Sequence, residues 1–362
     1  MSFKCGIVGL PNVGKSTLFN ALTKGNAAIA NFPFCTIKPN IGISPVLDYR
    51  IQKLSKIVNS KKIVHTFIEF VDIAGLVEGA SKGEGLGNQF LSNIRDTNVI
   101  VHVVRCFESN NIVHAYQKIE PLKDIEIINT ELILSDLETC EKSVLQLKKK
   151  IKINKKLEDK TLFVLQKCIS FLSRGVMIRN ALLDIEEKKI IRYLRLLTLK
   201  PTMYVANMNE EKESIALLNQ LKIIAIKENT VVIPVLAQLE LDLSSMNTTE
   251  KKYFIKEFDI PFLGLHDIIN KGYQLLNLIT FFTVGPKEIR AWSISKGSTS
   301  IEAAEKIHSD FKKGFIRAQI IKFSDFLKYK SESIIKELGK CRTEGKNYCI
   351  QDGDIIHFLF NV

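Results

Sequence analysis

Gly9-Leu10-Pro11-Asn12-Val13-Gly14-Lys15-Ser16-Thr17 decides how this chain is read. It follows the apolar run Cys5-Gly6-Ile7-Val8 and opens a segment of good helix formers, residues 16–23, in which Leu18, Phe19 and Leu22 are apolar. Strand, glycine loop, Lys-Ser and helix is the context in which G-x-x-x-x-G-K-[ST] cradles phosphate. The glycines let backbone N–H groups face phosphate oxygens, and Lys15 reaches the β/γ-phosphates. Ser16 offers Mg2+ a hydroxyl, and the helix N-terminus adds a favourable dipole. A Gly-rich turn ahead of a helix is the plain alternative, and the motifs downstream of Thr17 weigh against it.

Thr36 lies in the loop Asn31-Phe32-Pro33-Phe34-Cys35-Thr36-Ile37-Lys38-Pro39-Asn40, where the prolines disfavour helix. In P-loop GTPase-like proteins such a loop carries a threonine that closes on Mg2+ and the γ-phosphate, and Thr36 is the candidate, although a lone loop threonine is commonly a turn residue. Residues 64–72 read as one strand ending in Asp72-Ile73-Ala74-Gly75, a D-x-x-G match. Asp72 is placed to hold Mg2+ through water, and Gly75 to offer its N–H to the γ-phosphate. Leu76 comes next, with no hydrogen-bonding group where Ras-like enzymes orient the attacking water with glutamine. Turnover is therefore slow, or another residue or a partner completes the site. The stretch from Gly79 to Gly87 holds four glycines in nine positions and suits switching with nucleotide state. His114 has the chemistry to place or deprotonate a water, although a loop histidine also serves structural roles.

A buried strand over residues 201–207 ends in Asn207-Met208-Asn209-Glu210, where guanine-reading proteins carry N-K-x-D. An aspartate there pairs with guanine N1–H and N2–H2, a donor pair adenine lacks. Glu210 is one methylene longer and Met208 is apolar, while Asn207 still suits a purine N7 or N6 amine. The site is expected to prefer ATP, or to be relaxed between ATP and GTP.

The remaining organisation is legible from periodicity. Leu137, Cys140, Val144, Leu147 and Ile151 recur at 3-4-3-4 spacing, and Leu162, Leu165, Cys168 and Leu172 form a returning stripe. The connection, residues 148–156, carries six lysines and no acid, which suits RNA. A third amphipathic helix is expected over residues 186–199. Strands around one helix in the last 85 or so residues suit a ubiquitin-like α+β module with a binding role. The expected class is α/β, with a P-loop nucleotide domain over 1–134 and 201–277, a helical coiled-coil insert over 135–200 and a C-terminal domain over 278–362.

With 46% hydrophobic and 25% charged residues the composition is that of a globular protein. No apolar run approaches the roughly 20 residues of a membrane span, and the first residues lack a signal-peptide pattern. A cytoplasmic protein without membrane partners is expected. Seven cysteines lack C-x-x-C spacing, so neither zinc nor a disulfide framework follows. A net charge of +12 favours polyanionic partners without implying recognition of a DNA sequence.

Taken together, these motifs and the terminal Asp352-Gly353-Asp354 to Val362 resemble the YchF-type proteins among the Obg-related P-loop NTPases. The resemblance implies an Mg2+-dependent ATPase that also binds GTP, with an Obg-type nucleotide domain, a coiled-coil insert and a C-terminal TGS domain. It implies association with the ribosome and its large subunit, with hydrolysis stimulated there. By the same resemblance Ser16 and Thr36 ligate Mg2+, residues Asn12, Val13, Gly14, Lys15, Ser16, Thr17 and Met208 contact nucleotide, and His114 stands at a proposed catalytic position. Leu236 departs from the family's small residue, and the family's link to oxidative stress draws attention to Cys35. Two alternatives stay open: a translational GTPase-type factor, and an RNA- or ribosome-binding scaffold with little turnover.

Overall fold

The structure, a computed structural model, describes residues 3–24, 40–73, 86–109, 119–150, 155–257 and 263–361. The expectations for Cys35, Thr36, Gly75, Leu76, His114, the glycine-rich loop through Gly85 and residues 151–154 of the lysine-rich connection lie outside these residues.

The chain begins β1 (Lys4–Val8), α1 (Lys15–Lys24), β2 (Ile41–Pro45), α2 (Tyr49–Val58), β3 (Ile63–Val64) and β4 (Phe67–Asp72). There follow α3 (Leu86–Arg95), β5 (Val99–Cys106) and two long helices, α4 (Pro121–Lys150) and α5 (Lys155–Leu172). After the short α6 (Ile185–Ile190) come β6 (Thr202–Met208), α7 (Lys212–Lys227), β7 (Val232–Val235), α8 (Ala237–Ser244), α9 (Thr248–Glu257) and α10 (Gly264–Leu275). The last part holds β8 (Leu278–Val284), β9 (Ile289–Ser295), α11 (Ser300–Ile307), α12 (Ser309–Lys313) and β10 (Phe315–Lys322). It closes with α13 (Phe323–Tyr329), α14 (Glu332–Glu337), β11 (Arg342–Glu344) and β12 (Asp354–Phe360).

Two compact units result. One comprises Phe3–Ile43 and Glu69–Ile268, the other Ser44–Ile68 and Ile269–Val362. The first is built on a sheet of order β2-β4-β1-β5-β6-β7. Pairing of β1 with β4 and β5, of β5 with β6 and of β6 with β7 is parallel. Strands β5 and β6 are buried at every position, which is why they read as near-continuous apolar runs. Parallel pairing brings the residues after β1, the end of β4, the end of β6 and the turn after β7 to one carboxyl edge, where open α/β sheets bind ligands.

Helices α4 and α5 bury the two expected stripes in one core of Cys140, Val144, Leu165, Cys168 and Leu172, with Leu137, Leu147 and Leu162 packed against it. The third expected helix is a correction. Helix α6 ends at its cap Ile191, and a tight turn over Arg192–Leu194 follows, closed by Arg195 at φ 48°. The fully buried Asp136 of α4 takes the N–H groups of Leu197 and Thr198 at 3.0 and 2.7 Å and the Thr198 hydroxyl at 2.7 Å. Those N–H groups are thereby withdrawn from helical bonding.

In the other unit the sheet order is β11-β10-β12-β8-β9-β3. The strand expected over 64–72 is two strands: β3 pairs with β9, whereas β4 pairs with β1. Ile51 and Leu54 of α2 lie in one core with Phe282, Ile289, Phe326 and Ile355. Four helices, α11 to α14, occupy the place where one is expected. Thr299 and Glu302 cap α11 reciprocally, with the Thr299 N–H donating to Glu302 at 2.7 Å.

Candidate nucleotide site

The turn after β1 has the backbone a phosphate cradle needs. Gly9 sits at φ 155°, and a Cβ there would come within 2.5 Å of the Val103 carbonyl of β5. Asn12 and Gly14 also have positive φ, 61° and 94°, so successive N–H groups change direction along the loop. Helix α1 then starts at Lys15, with the Leu18 N–H donating to the Gly14 carbonyl at 2.9 Å.

Lys15 is buried, and its Nζ donates to the Leu10 carbonyl at 2.7 Å. Burial pulls its pKa down to about 8, partly offset by the Asp72 carboxylate. Ser16 Oγ donates to Asp72 Oδ2 at 2.9 Å, joining the start of α1 to the end of β4. A hydroxyl and a carboxylate side by side are hard oxygen donors, the set that suits Mg2+.

The opposite side of the edge is fixed by Asn207. Its Nδ2 donates to the Val13 carbonyl at 2.9 Å, and its Oδ1 accepts the Ala237 N–H at 3.4 Å. A Cβ on Gly14 would stand 2.2 Å from Asn207 Nδ2, so the glycine is what lets the amide approach. One buried side chain thus ties the phosphate loop to the strand end and to the turn after β7. Met208 turns its side chain into a core with Leu218, Leu221 and Leu236, leaving its backbone at the edge. Asn209 Oδ1 accepts the Ser214 hydroxyl and the Glu211 N–H, which shapes the entry to α7, and Glu210 is exposed.

The structure therefore brings Asn12 to Thr17, Asp72, Asn207, Met208 and Glu210 to one edge. Sequence reasoning missed Arg105, which pairs with Asn207 across β5 and β6. Its side chain is buried, its Nε donates to the Phe107 carbonyl at 3.1 Å, and its guanidinium lies 4.6 Å from the Phe107 ring centre. The available signal was a charged residue next to the end of a strand that is otherwise apolar but for His102.

Comparison with known proteins gives the family. The family described as 50S ribosome-binding GTPase matches residues 4–167, and the C-terminal YchF-GTPase family, described as of unknown function, matches residues 278–361. A protein of Buchnera aphidicola subsp. Schizaphis graminum named ribosome-binding ATPase YchF is 66% identical over 362 residues, covering all of both chains. The protein of that name from Escherichia coli O157:H7 is 56% identical over 363 residues, again covering both in full. The solved structure of the Schizosaccharomyces pombe YchF GTPase superposes with a TM-score of 0.88 at 35% identity, covering 99% of this chain and 98% of that one. This chain belongs to the YchF family of P-loop NTP hydrolases.

Proposed function

We propose that the protein is an Mg2+-dependent ATPase, able to take GTP as a secondary substrate, that associates with the ribosome and acts as a slow nucleotide-dependent switch in the cytoplasm. The observation that carries the reading is the joint placement of Lys15, the Ser16–Asp72 pair and Asn207 at one sheet edge. The names of the relatives and the 50S ribosome-binding description support the ribosomal half.

In this reading the loop amides of Asn12 to Thr17 and the Lys15 ammonium hold the β- and γ-phosphates and stabilise the charge that develops as water attacks in line. Ser16, Thr36 and Asp72 are the residues that would hold Mg2+, directly or through water. Bound Mg2+ would supply neutralising charge on the β/γ-phosphate oxygens. The Gly75 N–H serves the γ-phosphate, and His114 is the candidate for placing water, since Leu76 cannot. Asn207, the Met208 backbone and Glu210 border the base. Residues 135–200 act as a coiled-coil insert whose lysines meet rRNA, and 278–362 as a TGS domain. Co-sedimentation and turnover with purified ribosomes test the whole: ATP hydrolysis is expected to rise on ribosomes, and the absence of both sedimentation and stimulation would defeat it.

A further inference from the structure

Within the unit of Ser44–Ile68 and Ile269–Val362 lies a cleft of about 1080 Å3, bounded by residues 46–50, the end of α10, the turn at Lys296-Gly297 and residues 350–352. Its floor is a fixed polar network. Arg50 Nη1 donates to Asp352 Oδ2 at 2.6 Å and Nη2 to Asp48 Oδ2 at 2.7 Å, while the Thr280 N–H donates to Asp352 Oδ1 at 2.8 Å. The Tyr273 hydroxyl donates to the Ile279 carbonyl at 3.0 Å. These bonds preorganise the cleft, so little ordering cost is left for binding.

Three features define the occupant. Asp48 and Asp352 are balanced by Arg50 and Lys296, so a chain of net charge +12 has here a cleft without net charge. A phosphate backbone gains nothing from such a surface. The carboxamides of Asn270, Gln274 and Asn277 line the cleft, each with donors and an acceptor that match a peptide group. At the rim Leu47 and Tyr49 are 55% and 64% exposed, an aliphatic and an aromatic contact open to solvent. The volume lies just above the roughly 300–1,000 Å3 of small-ligand sites and suits an elongated occupant.

We propose that this cleft binds an extended peptide segment of a protein partner, its backbone paired with the Asn270, Gln274 and Asn277 carboxamides and an apolar side chain held against Leu47 and Tyr49. The cleft also bears on nucleotide. Residues 46–50 belong to the stretch that leaves β2 and returns as β4, and β4 ends at Asp72, the partner of Ser16. A peptide that shifts nucleotide affinity through this segment has its own affinity shifted by nucleotide by the same factor. This second half rests on the function proposed above.

A random 12-residue peptide library displayed on phage, selected on the full-length protein and counter-selected on the Tyr49→Ala/Gln274→Ala double variant, tests the cleft. Both positions are exposed, and thermal melting is the check that the variant folds. The expected result is a shared motif with one aliphatic or aromatic anchor, whose synthetic peptide binds the double variant at least tenfold more weakly. Failure of any sequence to enrich on the wild type over the variant overturns the proposal. So does a 12-nucleotide poly(A) RNA that binds the wild type and loses affinity in the variant, since the site would then read nucleic acid. Calorimetry of the selected peptide with and without Mg2+ and an ATP analogue is expected to show a shift of threefold or more. An unchanged affinity overturns the link to nucleotide alone, and loss of ribosome binding in a separate sedimentation assay bears only on the ribosomal reading.

Discussion

Asn207 reaches across the sheet edge to the carbonyl of Val13, 2.9 Å away, so the strand proposed to border the base also holds the loop proposed to take the phosphates. The same amide accepts the Ala237 N–H, which makes it a brace between three separate turns. A residue that sequence alone assigns to reading a purine is committed first to architecture.

Asn207→Ala should therefore weaken nucleotide binding of every base alike. Removing the amide leaves the buried Val13 carbonyl without its donor, a loss of about 1–3 kcal/mol. The expected result in titrations with fluorescent ATP and GTP analogues is a tenfold or greater loss for both. A change confined to one base would assign Asn207 to base selection instead. Gly14→Ala should behave similarly, since its Cβ would stand 2.2 Å from Asn207 Nδ2 on a backbone at φ 94°.

The Lys15 ammonium predicts the pH dependence of binding. Burial lowers its pKa from 10.5 to about 8, so the charged form is disfavoured by the fold below that value and the cost is relieved above it. Phosphate binding runs the other way, because it needs the ammonium. Affinity for ATP measured by calorimetry should fall as pH rises from 7 to 9, by about tenfold if Lys15 alone titrates. A flat profile would show that Lys15 does not carry the interaction.

Asp136 is a test of the fold apart from the site. It takes three hydrogen bonds from Leu197 and Thr198, and the Arg95 guanidinium stands 3.7 Å away. Asp136→Ala strands these donors in a dry core, and denaturant unfolding should show a loss of about 3 kcal/mol. Nucleotide affinity of the folded fraction should be unchanged.

The phosphate loop was legible because its chemistry demands particular residues at fixed spacing: Gly9, Gly14, Lys15 and Ser16 have few substitutes. The α4/α5 pair was legible because period-3.5 stripes have one interpretation. Membership of residues 44–68 in the C-terminal unit was not. Strand β3 has two residues, and its pairing with β9 joins Ile63 to Ile289, far beyond any local pattern. The irregular backbone at Leu197 and Thr198, inside the expected third helix, is held by Asp136, a residue of another helix. Asn207's brace was hidden for the same reason, since the partner loop lies 194 residues away in sequence.

Lys148 and Lys149 are exposed at the end of α4 and belong to the proposed RNA-facing tip. Lys148→Glu with Lys149→Glu should weaken ribosome binding and lower the slope of log affinity against log salt by about 1–2. An unchanged slope in sedimentation at graded KCl would place the RNA contact elsewhere.

The central claim is that a triphosphate sits on the Lys15 loop with its base beside Glu210 rather than a guanine-specific aspartate. Side-by-side turnover of ATP and GTP by the purified protein with Mg2+, wild type and Lys15→Ala, tests it most directly. The account predicts ATP hydrolysis at least equal to that of GTP, and loss of both in the variant. A tenfold or greater preference for GTP, or activity that survives Lys15→Ala, would contradict it.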